Sequence, residues 1–345
     1  MTVTRRNLLK LTGACGALGL APAIVRAQPK PEKTKIQIAV GGKALVYYLP
    51  LSVAELRGYF KDEGLEVTIS DFAGGSQALQ ALVGGSADVC SGAFEHTINL
   101  QSKGQFYRAF ALQGRAPMIV LGVSSKMGYA KPQDLKGKKI GVTAPGSSTS
   151  MLVNYFLAKH GMKPSDVSFI GVGAGTGAVT ALRTGQVDAI SNLDPVMSAL
   201  DVAGDIKVIV DTRTLKDTHE MFGANMPAGC LYAGLDFQNA NPNTTQALAN
   251  AIVRADKWIH NASPDDIAKL VPAGYLLGQP EVYKASITKS KEGLSPDGLI
   301  PADGPETALK ALMSYVPTID PAKIDLSKVW TNEFTQRGND KYPNG

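Results

Sequence analysis

Residues 175–191 read GTGAVTALRTGQVDAIS, and residues 74–91 read GGSQALQALVGGSADVCS. Laid at an offset of 100, Gly75, Ala78, Ala81, Leu82, Gly85, Asp88 and Ser91 each meet their own residue type, seven matches in seventeen positions. The shared pattern reads as a short helix with Ala and Leu turned inward. A glycine that takes the left-handed cap cheaply ends it, and an aspartate opens the next strand. One such unit is ordinary βαβ punctuation. Two in register call for a repeated architecture.

Reading outward from each copy gives the same series twice. KIQIAV (35–40), LEVTIS (65–70) and ADVCS (87–91) read as strands, separated by helical LSVAELRGYFKDEG and GGSQALQALVGG. KKIGV, DVSFIGV and VDAIS read as strands, separated by helical SSTSMLVNYFLAKHG and TGAVTALRTG. The expectation is an α/β chain of two similar lobes, each with a mostly parallel sheet. APMIVLGVSS (116–125) and MPAGCLYAGLDF (226–237) are strand-like and would carry the chain out and back, a two-strand hinge with crossings near 111–118 and 225–232. The expected division is lobe 1 over 33–116, lobe 2 over 117–226, and a return to lobe 1 with C-terminal helices over 227–345. Those helices are expected to pack on lobe 1, with the polar end TQRGNDKYPNG disordered.

Residues 1–27 read as a signal rather than as structure. A charged start, a Gly/Ala/Leu stretch from Leu11 to Ile24 and a small residue at Ala27 fit export; the run is too short and glycine-rich to span a bilayer. Arg5 and Arg6 with Asn7, Leu8, Leu9 and Lys10 look like a twin-arginine signal, with an ordinary Sec signal as the alternative. Removing Arg5, Arg6, Lys10 and Arg26 takes the net charge from +5 to +1. No basic field then remains to argue for nucleic acid or an anionic membrane. Cys90 and Cys230 stay in the mature chain and are expected to be buried as small apolar residues.

The candidate binding residues lie at strand ends. Gly146 with Ser147, Ser148, Thr149 and Ser150 sits between a strand and a helix, where free N–H groups favour an acidic ligand group. Capping needs one hydroxyl and four are present, so Ser147, Ser148 and Thr149 are assigned to the ligand. Asn192 ends the matching strand. Asp194 before Pro195 is good helix-start chemistry, and its carboxylate is weighed first as a cap within the binding set. In lobe 1 the equivalent turn holds Gly92, Ala93, Phe94 and Glu95: Gly92 for close approach, Phe94 for stacking. Gly74 in the Gly-rich FAGGSQ, and Lys43, Tyr47 and Tyr48 after the first strand, complete the set.

Other chemistries fare worse. His96, His160, His219 and His260 show no metal-ligand spacing, so no metal is expected, and no G-x-S-x-G elbow occurs. GAGTGA (173–178), between a strand and a helix with Asp194 about twenty residues on, resembles a dinucleotide fingerprint. Gly185 cuts that helix short, which leaves an exported NAD(P)-dependent oxidoreductase as the lesser alternative.

The segments LSVAELRGYFKDEGLEVTISDFAGGSQALQALVGGSADVCSG, DLKGKKIGVTAPGSS, VTALRTGQVDAISNLDPV and LDFQNANP together resemble the periplasmic solute-binding proteins of ABC importers. The similar group is the nitrate/sulfonate/taurine one, which includes binders of thiamine-pyrimidine precursors. The resemblance covers roughly residues 35–240. It implies a type II-like periplasmic binding fold and capture of a small anionic organic molecule or oxyanion in the interlobe cleft. The alternative ligand is a neutral aromatic heterocycle. It further implies a monomeric non-enzyme in the periplasm, without cofactor, that hands its ligand to a permease and ATPase. A membrane sensor as the recipient stays open.

Overall fold

The computed structural model describes residues 29–345, so the export-signal reading of 1–27 lies outside the described residues. Ten strands occur among them: β1 Lys35–Gly41, β2 Glu66–Phe72, β3 Val89–Ala93, β4 Tyr107–Leu112, β5 Val120–Ser124, β6 Lys139–Val142, β7 Ser168–Gly171, β8 Ala189–Asn192, β9 Ile206–Asp211 and β10 Gly229–Gly234. They form two five-stranded sheets with orders β2-β1-β3-β10-β4 and β7-β6-β8-β5-β9. The sheets have one topology. In the first, β10 runs antiparallel to both neighbours while β1 pairs parallel with β2 and β3; in the second, β5 is the reversed strand and β6 pairs parallel with β7 and β8. Each reversed strand is the one that has just crossed between sheets.

The internal repeat maps onto equivalent positions. Helices Gly75–Val83 and Thr176–Arg183 bury Ala78 and Leu82, and Ala178, Ala181 and Leu182. Both helices end at a glycine in the left-handed region, Gly85 with φ 78° and Gly185 with φ 74°. The repeated aspartates then tie down the neighbouring strand. Asp88 Oδ2 accepts from the Gln37 backbone N–H at 3.0 Å, and Asp188 Oδ2 from the Lys139 N–H at 2.9 Å. The motif is conserved within the chain because one hydrogen-bonding job is done twice.

The chain leaves the first sheet through residues 113–119 and returns through 212–228, which carry helix Leu215–Phe222. The two crossings are bonded to each other at both ends. Met118 N–H donates to Thr212 O at 2.9 Å near the second sheet, and Ala228 N–H donates to Gly114 O at 2.9 Å near the first. The long helix Pro242–Asn261 packs on helices Leu49–Leu56 and Glu333–Lys341 of lobe 1. Two expectations about the C-terminal part need correction. Helix Pro280–Ser290 packs on helix Val196–Val202 of the second lobe. The polar end is helical, and Lys341 and Tyr342 both bond the buried carboxylate of Glu63. Cys90 and Cys230 are buried and unpaired.

Candidate functional site

The lobes meet face to face along a seam of small residues. A Cβ on Gly74 would lie 2.7 Å from the Cβ of Ala144, and one on Gly42 would lie 2.5 Å from the Cβ of Ala174. Ser76 N–H donates to Ser147 Oγ at 2.9 Å, and Val46 N–H donates to Asp194 O at 3.0 Å. Each of these bonds joins one lobe to the other, so the cleft is closed.

Beside this seam an apolar pocket runs between the lobes. Lobe 1 contributes Tyr47, Glu95 and the helix Gly304–Met313 with Tyr315 just beyond it; lobe 2 contributes Ser148, Met151, Leu152 and Tyr155; Met226 comes from the second crossing. Pro117 and Ile119 of the first crossing form its floor, and Phe222 of the second stacks on Tyr155 with ring centroids 4.8 Å apart. Among the described residues, no Lys, Arg or His lines this pocket, and Glu95 is its one acidic group. Lys159 and Lys310 sit in a shallow groove on the outer side of Tyr155 and Phe222.

The four hydroxyls at the helix start Ser148–Lys159 have distinct uses. Ser147 bridges to lobe 1 through Ser76. Thr149 Oγ1 accepts from Thr143 N–H at 3.1 Å and pairs with Thr143 Oγ1 at 2.9 Å. Ser150 Oγ accepts from Gly146 N–H at 2.9 Å. Ser148 alone of the four lines the pocket. The excess over a single cap is thus taken up largely by bracing the loop and closing the seam.

The remaining candidates divide in the same way. Tyr47 and Glu95 line the pocket. Tyr48 is buried edge-on against Tyr47, and Gly74 belongs to the seam. The space above Gly92 is filled by Tyr232, whose Oη would lie 2.8 Å from an added Cβ. Ala93 and Phe94 are buried in the lobe 1 core. Lys43 pairs with Glu55 at the mouth of the first strand. Asn192 spends its amide on Gly173 O at 3.0 Å and on Leu193 N–H at 2.9 Å. Asp194 is fully engaged: its carboxylate accepts from Ser198 N–H at 2.9 Å and Ser290 Oγ at 3.1 Å, and pairs with buried Arg213 at 3.3 Å. It joins the second lobe to a crossing and to a C-terminal helix.

Sequence reading did not find Met151, Tyr155, Phe222 or Tyr315. A signal existed for some of them. Ser148, Met151, Leu152 and Tyr155 fall at i, i+3, i+4 and i+7, one helical face, and Ala308, Ala311, Leu312 and Tyr315 repeat that spacing.

Electrostatics single out Glu95. It opens helix Glu95–Gln101 and is 6% exposed. Loss of solvent pushes its carboxyl up to about 7. Burial pulls neighbouring His96 down to about 4; its Nδ1 faces Tyr232 Oη at 3.1 Å. Burial also pushes the phenols of Tyr47 and Tyr315 well up.

A pocket between two closing α/β lobes on a double crossing defines the class of periplasmic binding folds, and solved structures agree. The chain matches the alkanesulfonate-binding protein SsuA from Xanthomonas axonopodis pv. citri bound to MOPS (TM-score 0.68, 20% identity, 89% of this chain and 99% of that one). It matches the nitrate-binding protein NrtA from Synechocystis PCC 6803 (TM-score 0.71, 16% identity, 91% and 90%). A solved protein from Bordetella bronchiseptica RB50 is 73% identical, with TM-score 0.91 over 92% of this chain and 100% of that one. Within this class, residues 46–266 match the NMT1/THI5-like family, and the chain belongs to it. Bacillus subtilis YtlA, named as a binding protein, is 25% identical over 85% of this chain and 87% of its own. The 4-amino-5-hydroxymethyl-2-methylpyrimidine phosphate synthase of Schizosaccharomyces pombe is 27% identical over 45% of this chain and 43% of its own.

Proposed function

We propose that the protein is the exported solute-binding component of an ABC importer. It captures a small aromatic heterocycle bearing hydrogen-bond donors and presents it to a membrane permease and its ATPase. The observation that carries this ligand class is the pocket wall: Tyr47, Tyr155 and Tyr315, methionines, and one buried carboxyl, with no Lys, Arg or His among the lining residues. An anionic ligand is the reading favoured by relatives that bind sulfonate and nitrate. It needs a positive or donor-rich pocket, and most hydroxyls of the helix start are already paired within the protein. Closure of two lobes on a hinge supports capture rather than chemical conversion. Mass spectrometry of small molecules released from protein purified without denaturation tests the ligand class. A nitrogen heterocycle is expected; a sulfonate, nitrate or other strong anion would overturn that class.

A further inference from the structure

Resting on the capture reading only in that the lobes must part, we infer that His96 makes closure of the lobes sensitive to acid: they close over a neutral imidazole, and its protonation holds them open. His96 is the second residue of helix Glu95–Gln101 in lobe 1, and it does not line the pocket. It is fully buried, and lobe 2 supplies part of its cover. A Cβ added to Gly75 would lie 3.7 Å from His96 Cε1, 3.6 Å from Tyr48 Oη and 3.8 Å from Ser147 Oγ of lobe 2. Ser147 is also the residue that accepts the Ser76 N–H across the seam at 2.9 Å. Of the two ring nitrogens, Nδ1 has Tyr232 Oη at 3.1 Å. Nε2 is buried beside the Gly146 carbonyl of lobe 2 without completing a hydrogen bond. Parting the lobes takes Gly146 and Ser147 away and opens that nitrogen to water.

An imidazolium donates from both nitrogens, so a buried one needs two acceptors or a counter-charge. The closed seam offers neither in full. Tyr232 of β10, Tyr48 after β1, Cys90 of β3 and Tyr315 are kept neutral by burial. Glu95, one residue back, is itself protonated below about 7 and gives no anion in the acid range. Lys103, beyond the end of the same helix, adds a like charge. Helix Gly304–Met313 and β4 also pack on this helix. Glu306 and Lys310 of the former pair with each other at the surface; in β4, Tyr107 stays neutral and Arg108 bonds Gln238. Asp325, against Gln101, pairs with Lys328. Helix Gly75–Val83 and residues 144–147 of lobe 2 carry no titratable side chain. Burial in the closed form holds the imidazole at about 4, against the ordinary 6.5. A depressed histidine supports the closed form above 6.5 and withdraws that support as pH falls. Closure should therefore weaken by about tenfold per pH unit in the acid range below the ordinary value, which favours release in an acid medium.

The test fixes the lobes in each state and titrates His96 Cε1–H by NMR. Ser76→Cys combined with Ser147→Cys, at positions whose hydroxyl oxygens lie 3.3 Å apart, gives on oxidation a disulfide that locks the lobes shut. The same protein reduced, and Gly74→Ala, whose added Cβ meets Ala144 of lobe 2, supply the open form. His160, His219 and His260 are exposed and serve as references, and His96→Gln identifies the resonance. Reading His96 itself keeps Glu95, which acts in the opposite sense near pH 7, out of the measurement. In the locked protein His96 should stay neutral down to about pH 5, and in Gly74→Ala it should titrate roughly two pH units higher than in the locked form. Equal titration of His96 in the locked and open forms would overturn the inference. Small-angle scattering reports whether the lobes have parted. If neither reduction nor Gly74→Ala makes the particle larger than the locked one, the lobes do not part and the capture reading itself fails.

Discussion

Asp256 sits in the middle of the long helix Pro242–Asn261, fully buried, with neither carboxyl oxygen hydrogen-bonded. Burial holds its carboxyl well above the ordinary 3.8, with Asp297 adding to the rise. The folded chain therefore keeps a proton that the unfolded chain releases. Its stabilising contribution is complete below pH 3.8 and is lost as pH climbs from there through the raised folded value. Asp256→Asn abolishes that loss. The variant is expected to gain on wild type by about 1 kcal/mol for each pH unit between the unfolded and the folded pKa, read by urea denaturation near pH 4.5 and near pH 7.5. Equal gaps at the two pH values would refute the account. At this scale the sequence was only half legible. Glu95 and Tyr47 were found because strand ends face a cleft. Tyr315 was not, since nothing local tells that a helix some two hundred residues downstream returns to the same pocket. The hydroxyls after Gly146 were visible as a group, but which lobe each one serves depends on closure.

At the scale of elements, the repeat was legible because it is a matter of punctuation. Helix, left-handed glycine and aspartate are local features, and each is required by a local geometry. The aspartate is the part with a measurable energy. Asp188→Ala removes the acceptor for the Lys139 N–H, the first residue of β6, and should cost about 1 kcal/mol in chemical denaturation. Asp188→Asn, which keeps a carbonyl oxygen, should recover most of it. A variant pair with no difference would show the bond to be solvent-replaced. What punctuation could not give was helix Leu215–Phe222, which lies inside the second crossing. Nor could it give the placement of Pro280–Ser290 on lobe 2, which rests on long-range packing and on the Ser290–Asp194 bond.

At the scale of the whole molecule, the glycine seam makes closure testable apart from folding. Gly74 has φ −165° and ψ 164°, an extended conformation open to any residue, so its lack of a side chain is not needed by its own backbone. The atoms an added Cβ would meet, Ala144 and Thr143, all belong to the other lobe. Gly74→Ala should leave the ligand-free melting temperature within about 1 °C of wild type, as surface changes usually do, and weaken ligand affinity by roughly tenfold or more. Small-angle scattering should show ligand shrinking wild type and failing to shrink the variant. Full affinity in the variant would mean that the lobes need not touch here. The reversed strands carry a different consequence, one that concerns the order in which the chain is made. The second sheet is assembled from one uninterrupted stretch, β5 through β9, and is complete once Asp211 has been synthesised. The first sheet has an empty lane between β3 and β4 until Gly229–Gly234 emerges. On the ribosome, the lobe whose synthesis begins first is thus the last to have all its strands.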